Sequence, residues 1–142
     1  MTVPSKDQLT DNDGLDEHYV VKHWNGKTLD DAYRMFTDGG SAYCEDITYM
    51  SVAALHYYLP AVFAYLQNTD SNDDFDVASG VMTSLSCVCD RPDLAPPVVG
   101  LIRSITNYVA NNLPKFDADD DWVQSRINAI RKHIPESDSP SE

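Results

Sequence analysis

Twenty consecutive residues, Thr48 to Gln67 (TYMSVAALHYYLPAVFAYLQ), carry no Asp, Glu, Lys or Arg and are apolar nearly all round. Read as a helix, such a segment leaves no broad polar face for water. Other elements must cover it, which places it at the centre of the fold. Pro60 lies inside it. A proline has no N–H for the helical ladder and disfavours helical backbone at the preceding residue, here Leu59, which predicts a kink or two abutting helices. The acidic run from Asp70 to Asp76 closes the segment as a loop.

Helical periodicity extends to either side. Thr28 is a good N-cap, and Asp30 and Asp31 fall in the first turn, where carboxylates suit the helix dipole. Leu29, Ala32, Tyr33 and Phe36 follow at i, i+3, i+4 and i+7, and Gly39-Gly40 stops the helix. Trp24, just upstream, is expected to anchor this segment on the core. In Val77 to Val88 the residues Val77, Val81, Leu85 and Val88 fit a helical stripe, while Gly80 and the β-branched content leave a strand open. Arg91 to Pro97 reads as a turn and a new helix start. Val98, Leu101, Ile102, Ile105 and Val109 then line one face, and Leu59 and Leu101 are both expected in the dry core. The last helix opens at Asp119, Asp120 and Asp121 and is expected to bury Trp122, Val123, Ile127 and Ile130. Arg126, Arg131 and Lys132 lie towards its C-terminal end, where cations are favoured.

These elements predict an all-α, compact single-domain bundle of five to six helices around a kinked central apolar helix. Residues 1–17 are expected to form a flexible acidic arm, 18–134 the helical domain, and 135–142 (PESDSPSE) a disordered tail. The length of 142 residues suits one domain, and a hydrophobic content of 42% is enough for a real core. The N-terminus MTVPSKDQLTDNDG has no signal-peptide pattern and no apolar run approaches a membrane span, so a cytoplasmic protein is expected. Cys44, Cys87 and Cys89 are an odd number and form C-x-C, not C-x-x-C. They read as free thiols rather than as a disulfide framework or redox motif.

Charge is the feature that bears on function. Between Met35 and Asp90, a window of 56 residues, there is no Lys or Arg and there are eight Asp or Glu; the whole chain has a formal net charge of -13. Self-repulsion at this level works against compaction, so the excess serves solubility or faces a cationic partner. Direct binding to DNA or RNA is disfavoured, because the ten basic residues are dispersed and the net field repels phosphate.

No known chemical motif competes with that reading. Asp70-Ser-Asn72-Asp-Asp74 opens like a calcium-binding EF-hand loop, but Phe75 stands where Gly is required and Val81 where Glu is required. Asp117 to Asp121 fails in the same way, with Trp122 sixth and Asn128 twelfth. His18 and His23 are five apart with no Cys or Glu at zinc-ligand spacing, and His56 and His133 stand alone. No nucleophile elbow, phosphate-binding loop or dinucleotide fingerprint occurs. No catalytic residue, cofactor or metal is therefore assigned.

Three acidic surfaces are candidates for a basic partner. Asp38, Glu45 and Asp46 interleave with Tyr43 and Tyr49. Asp70, Asp73, Asp74 and Asp76 form a second cluster, and Asp117 to Asp121, with Asp119 and Asp120 foremost, a third. Carboxylates displayed with exposed aromatics can plug a basic cleft or imitate a phosphate backbone.

The run Ser51 to Ala61 (SVAALHYYLPA) resembles the signature segment of the DUF6714-like family of small uncharacterised bacterial proteins. Ala54, Tyr57, Tyr58, Leu59, Pro60 and Ala61 carry the resemblance, with Trp24, Leu29 and Ala32 upstream. It extends over Trp24 to Leu66, is mostly apolar, and implies a shared core with no catalytic residue to transfer. Small acidic bacterial proteins of this kind are often immunity or antitoxin-type binders. The expected function is thus a non-enzymatic inhibitor that neutralises a basic protein partner, a toxin or a nucleic-acid-binding protein. The alternatives are a nucleic-acid mimic and a homodimeric scaffold.

Overall fold

The structure, a computed structural model, describes residues 1–137 and is all-helical among them. Six α-helices, α1 (Leu15–Trp24), α2 (Leu29–Thr37), α3 (Val52–Gln67), α4 (Phe75–Val88), α5 (Pro96–Ala110) and α6 (Asp121–Arg131), alternate with five short 3-10 turns. No helix is long and apolar enough to cross a membrane.

The apolar segment is α3, and it runs as a single helix with Pro60 inside it. Two abutting helices are not formed. Ala53, His56, Pro60 and Ala64 fall on its one partly exposed face, while nine of its residues, among them Leu55, Tyr58, Leu59, Val62 and Leu66, are buried. Pro60 leaves the His56 carbonyl without its ladder donor, and that face is where solvent can serve the orphan acceptor. Helix α2 covers one side of α3 and α5 another, and α6 packs on α4.

Local chemistry fixes the helix starts. Thr28 and Asp31 form a reciprocal capping box at α2, with Thr28 N donating to Asp31 Oδ2 at 3.0 Å and Asp31 N to Thr28 Oγ1 at 3.1 Å. Asp74 caps α4 and Asp120 caps α6 by accepting from Val77 N and Val123 N at 3.3 and 2.9 Å. Ser51 caps α3 and also ties the N-terminus down, its N–H donating to the Leu9 carbonyl at 2.8 Å and its hydroxyl to the Gln8 carbonyl.

Several expectations are revised. Leu9 is fully buried and α1 begins at Leu15, so the stretch read as a flexible arm is docked on the core through Leu9, with Val3 and Pro4 beside it, and through the Ser51 bonds. Val77 to Val88 is helical. Gly80 is there for closeness rather than for a strand: a Cβ on it would lie 2.9 Å from Cys44 Cβ. Trp122 is not buried but 54% exposed, with the Arg126 guanidinium 5.0 Å above its ring. Leu101 and Leu29 lie at the edges of their stripes rather than in the core. Of the tail, Pro135 and Glu136 accept hydrogen bonds from Arg103 and Asn107 on α5, and residues 138–142 lie outside the described residues.

The two mid-helix glycines should respond with opposite signs. Gly80→Ala forces Cys44 to move and should destabilise by about 1–3 kcal/mol. Gly100→Ala meets nothing within 4 Å and should stabilise by up to about 1 kcal/mol. Urea unfolding midpoints measure both, and a neutral Gly80→Ala would refute the close approach of α4 to Cys44. Leu59→Asp should abolish cooperative unfolding, because a charge in the dry core costs several of the ~5–15 kcal/mol available. Leu101→Asp should leave a folded protein with a lower midpoint, in contrast to the expectation from periodicity.

Candidate functional site

Helix α1 has only a narrow apolar stripe, Val20 and Trp24, four residues apart and both fully buried. Trp24 brings an indole N–H into the core, and a buried donor needs an acceptor. Asp46, from the 3-10 turn Glu45–Tyr49, supplies it: Asp46 Oδ2 accepts from Trp24 Nε1 at 2.9 Å and lies 2.6 Å from His23 Nδ1. A carboxylate accepting at Oδ2 places an imidazole proton on Nδ1. The Trp24 carbonyl in turn accepts from the Tyr58 hydroxyl of α3 at 3.0 Å, and the Lys27 carbonyl from the same hydroxyl at 2.7 Å. Tyr43 stands edge-on to His23, ring centroids 5.1 Å apart, and to Trp24 at 6.2 Å.

This network holds α1 against the turn, and the seam between them opens as a cleft of about 260 Å3. Asp16, Tyr19 and His23 wall it from α1, and Glu45, Asp46 and Tyr49 from the turn. The charge of Asp16, then burial and the charge of Glu45, push the Tyr49 phenol above its ordinary pKa, so it stays a neutral hydroxyl. Leu15, 74% exposed, and Tyr19, 43% exposed, are four apart on α1 and put apolar surface on the solvent side of that helix. The arrangement can bind: it offers carboxylates, neutral acceptors and aromatic walls suited to a cation with an alkyl or planar body. Among the described residues no group of three or more His, Cys, Asp or Glu is placed to hold a metal ion.

The three candidate acidic surfaces fare differently. Glu45, Asp46 and Tyr49 converge in the cleft and Tyr43 buttresses it, whereas Asp38 is the C-cap of α2 and does not line it. Asp46 lines the cleft with a side chain only 8% exposed and also belongs to the internal network. In the second cluster Asp70 accepts from the Tyr33 hydroxyl at 2.8 Å and Asp74 from the Tyr65 hydroxyl at 2.5 Å. Asp74 also caps α4, so it is part of the scaffold. Asp73, in left-handed backbone at φ 63°, and Asp76 are exposed. In the third, Asp120 is a cap and Asp117, Asp119 and Asp121 are exposed. Neither of these clusters lines this cleft.

Asp16, Tyr19 and His23 were not singled out together by sequence. Their spacing of i, i+3, i+7 is a helical face, but the stretch before residue 18 read as an arm and hid it. Compared with family models, with curated proteins and with solved structures, the chain gives no significant match.

The Tyr58 hydroxyl should make the network sensitive to alkali. Burial first, then the neighbouring Tyr57, pushes its pKa up to about 12, against about 10 for an unfolded tyrosine. A raised folded pKa gives stability that is fully present below pH ~10 and lost as pH rises towards 12. Unfolding midpoints measured from pH 9 to pH 12 should fall across that window and fall less in Tyr58→Phe. An equal slope in both proteins would remove Tyr58 from the account.

Proposed function

We propose that this protein is a non-enzymatic binding protein that neutralises a basic protein partner by occlusion, as an immunity or antitoxin protein does. The observation that carries the reading is the cleft. It gathers Asp16, Glu45 and Asp46 with Tyr19 and Tyr49 in one concavity beside exposed Leu15. Anchors of this kind, aromatic side chains beside charge, dominate protein interfaces. The net charge of -13 would steer the encounter, and the steering is screened beyond a Debye length of ~8 Å at 0.15 M salt. The likeness of Ser51 to Ala61 to a bacterial family supports a toxin as the partner class. It is also what supports a bacterial setting.

Charge-matched variants test the docking surface. A basic protein retained from lysate by the wild type should be released at ~0.5 M salt. It should be lost by Asp16→Asn/Glu45→Gln and still retained by Asp73→Asn/Asp119→Asn. Equal loss in the two double variants would remove the cleft as the docking surface. Displacement of the partner by nucleic acid would favour the nucleic-acid mimic, and a dimer that retains no partner would favour the scaffold.

A further inference from the structure

The first cleft has a neighbour. Tyr49 is a wall of two cavities, the one described and a second of about 400 Å3 whose lining includes Asp11, Glu17, Met50 and Arg91. Both are bounded by α1 on one side and by the Glu45–Tyr49 turn on the other. The cation in the second cleft is already matched. Arg91 donates to the Met50 carbonyl at 2.8 Å and to both Asp93 oxygens at 3.1 and 2.9 Å, and lies 3.5 Å from Asp11. Two concavities joined across one residue suit a chain laid extended, with alternate side chains entering them.

In the first cleft one strong acceptor is unused. Asp46 Oδ2 is taken by Trp24 and His23, while Oδ1 has no hydrogen-bond partner among the described residues and is not sealed from the cleft that Asp46 lines. The side chain is 8% exposed, so Oδ1 is a carboxylate acceptor with little access to water, and a cation seated there has to replace that water with a donor of its own. That requirement selects among cations. A quaternary ammonium has no N–H to give. A guanidinium binds a carboxylate best as a fork across both oxygens, and here Oδ2 is occupied. A lysine ammonium is a compact point donor and fits a single oxygen.

We propose that the two clefts hold an extended, lysine-bearing segment of the basic partner. One lysine ammonium donates to Asp46 Oδ1 between Tyr19 and Tyr49, and the chain passes Tyr49 into the second cleft. This rests on the docking reading and names the side chain and the conformation that the partner presents.

Labelled hexalysine and hexaarginine, titrated into the whole chain by fluorescence anisotropy and mapped by NMR, test it. Hexalysine should shift the Asp46 carboxyl carbon and the backbone amides of both Glu45 and Arg91. Glu45→Gln, which removes a charge from the wall of the cleft, should weaken hexalysine by about threefold to tenfold, and Asp119→Asn by less than about twofold. Hexaarginine should leave the Asp46 carboxyl carbon unmoved. If it shifts that carbon as far as hexalysine does, the lysine seat is overturned. Shifts confined to the first cleft would overturn the extended chain and leave the docking reading standing. Equal weakening by Asp119→Asn, with shifts spread over Asp73 and Asp119, would overturn both.

Discussion

A carboxylate that is nine-tenths buried has to be satisfied by the protein, and Asp46 is satisfied by two residues of one helix. Everything around the cleft follows from that pairing. Trp24 needs an acceptor for its indole, His23 needs one for Nδ1, and a single oxygen serves both. The Trp24 backbone then holds Tyr58 on α3, so the surface helix α1 is tied by two hydrogen bonds to the turn and by one to the apolar centre. Breaking a buried charged partnership by removing one member costs more than the partnership contributes, because the remaining charge is stranded. The network is therefore an all-or-none feature of the fold.

The negative charge divides into two populations. Asp31, Asp74 and Asp120 cap helices, Asp46 and Asp70 accept from core or near-core hydroxyls and rings, and Asp93 holds Arg91. The Arg91 guanidinium keeps the Asp93 carboxyl below its usual range, as Thr28 does for Asp31. Asp16, Asp38, Glu45, Asp73, Asp76 and Asp119 remain at the surface. Carboxylates of this second kind are the ones open to a partner, and among them Asp16 and Glu45 share the first cleft with Tyr19 and Tyr49. Net charge in a sequence does not distinguish the two uses, since a capping aspartate and a steering aspartate are the same letter.

Much of the helical architecture was legible because its signals are local. The Thr28 cap, the i, i+4 stripes of α5 and α6, and the apolar α3 all report on residues within a few turns. What escaped depended on distant neighbours. Gly80 looked like a helix defect until Cys44, 36 positions upstream, occupied the space that a side chain would fill. Leu9 gave no periodicity at all, being one apolar residue in a polar stretch. Trp122 matched the apolar stripe of α6 yet faces outward, its ring under Arg126. Half of the cleft was legible, through Glu45 and Tyr49 in one acidic, tyrosine-bearing run. The half on α1 was not, because the value of Asp16 and Tyr19 lies in what packs beside them.

Ser51 closes this structure in time as well as in space. Its N–H and hydroxyl hold the carbonyls of Leu9 and Gln8, so the first turn of α3 is the mooring of a segment that lies well upstream of it in the chain. A ribosome adding ~5–20 residues per second exposes Gln8 and Leu9 for seconds before their partner exists. The cleft has the same dependence, because Asp46 must arrive before His23 and Trp24 have anything to hold. A segment made before its mooring is thus seated only after α3 has begun to form, and during that interval its acidic residues are free of the fold that later shapes them.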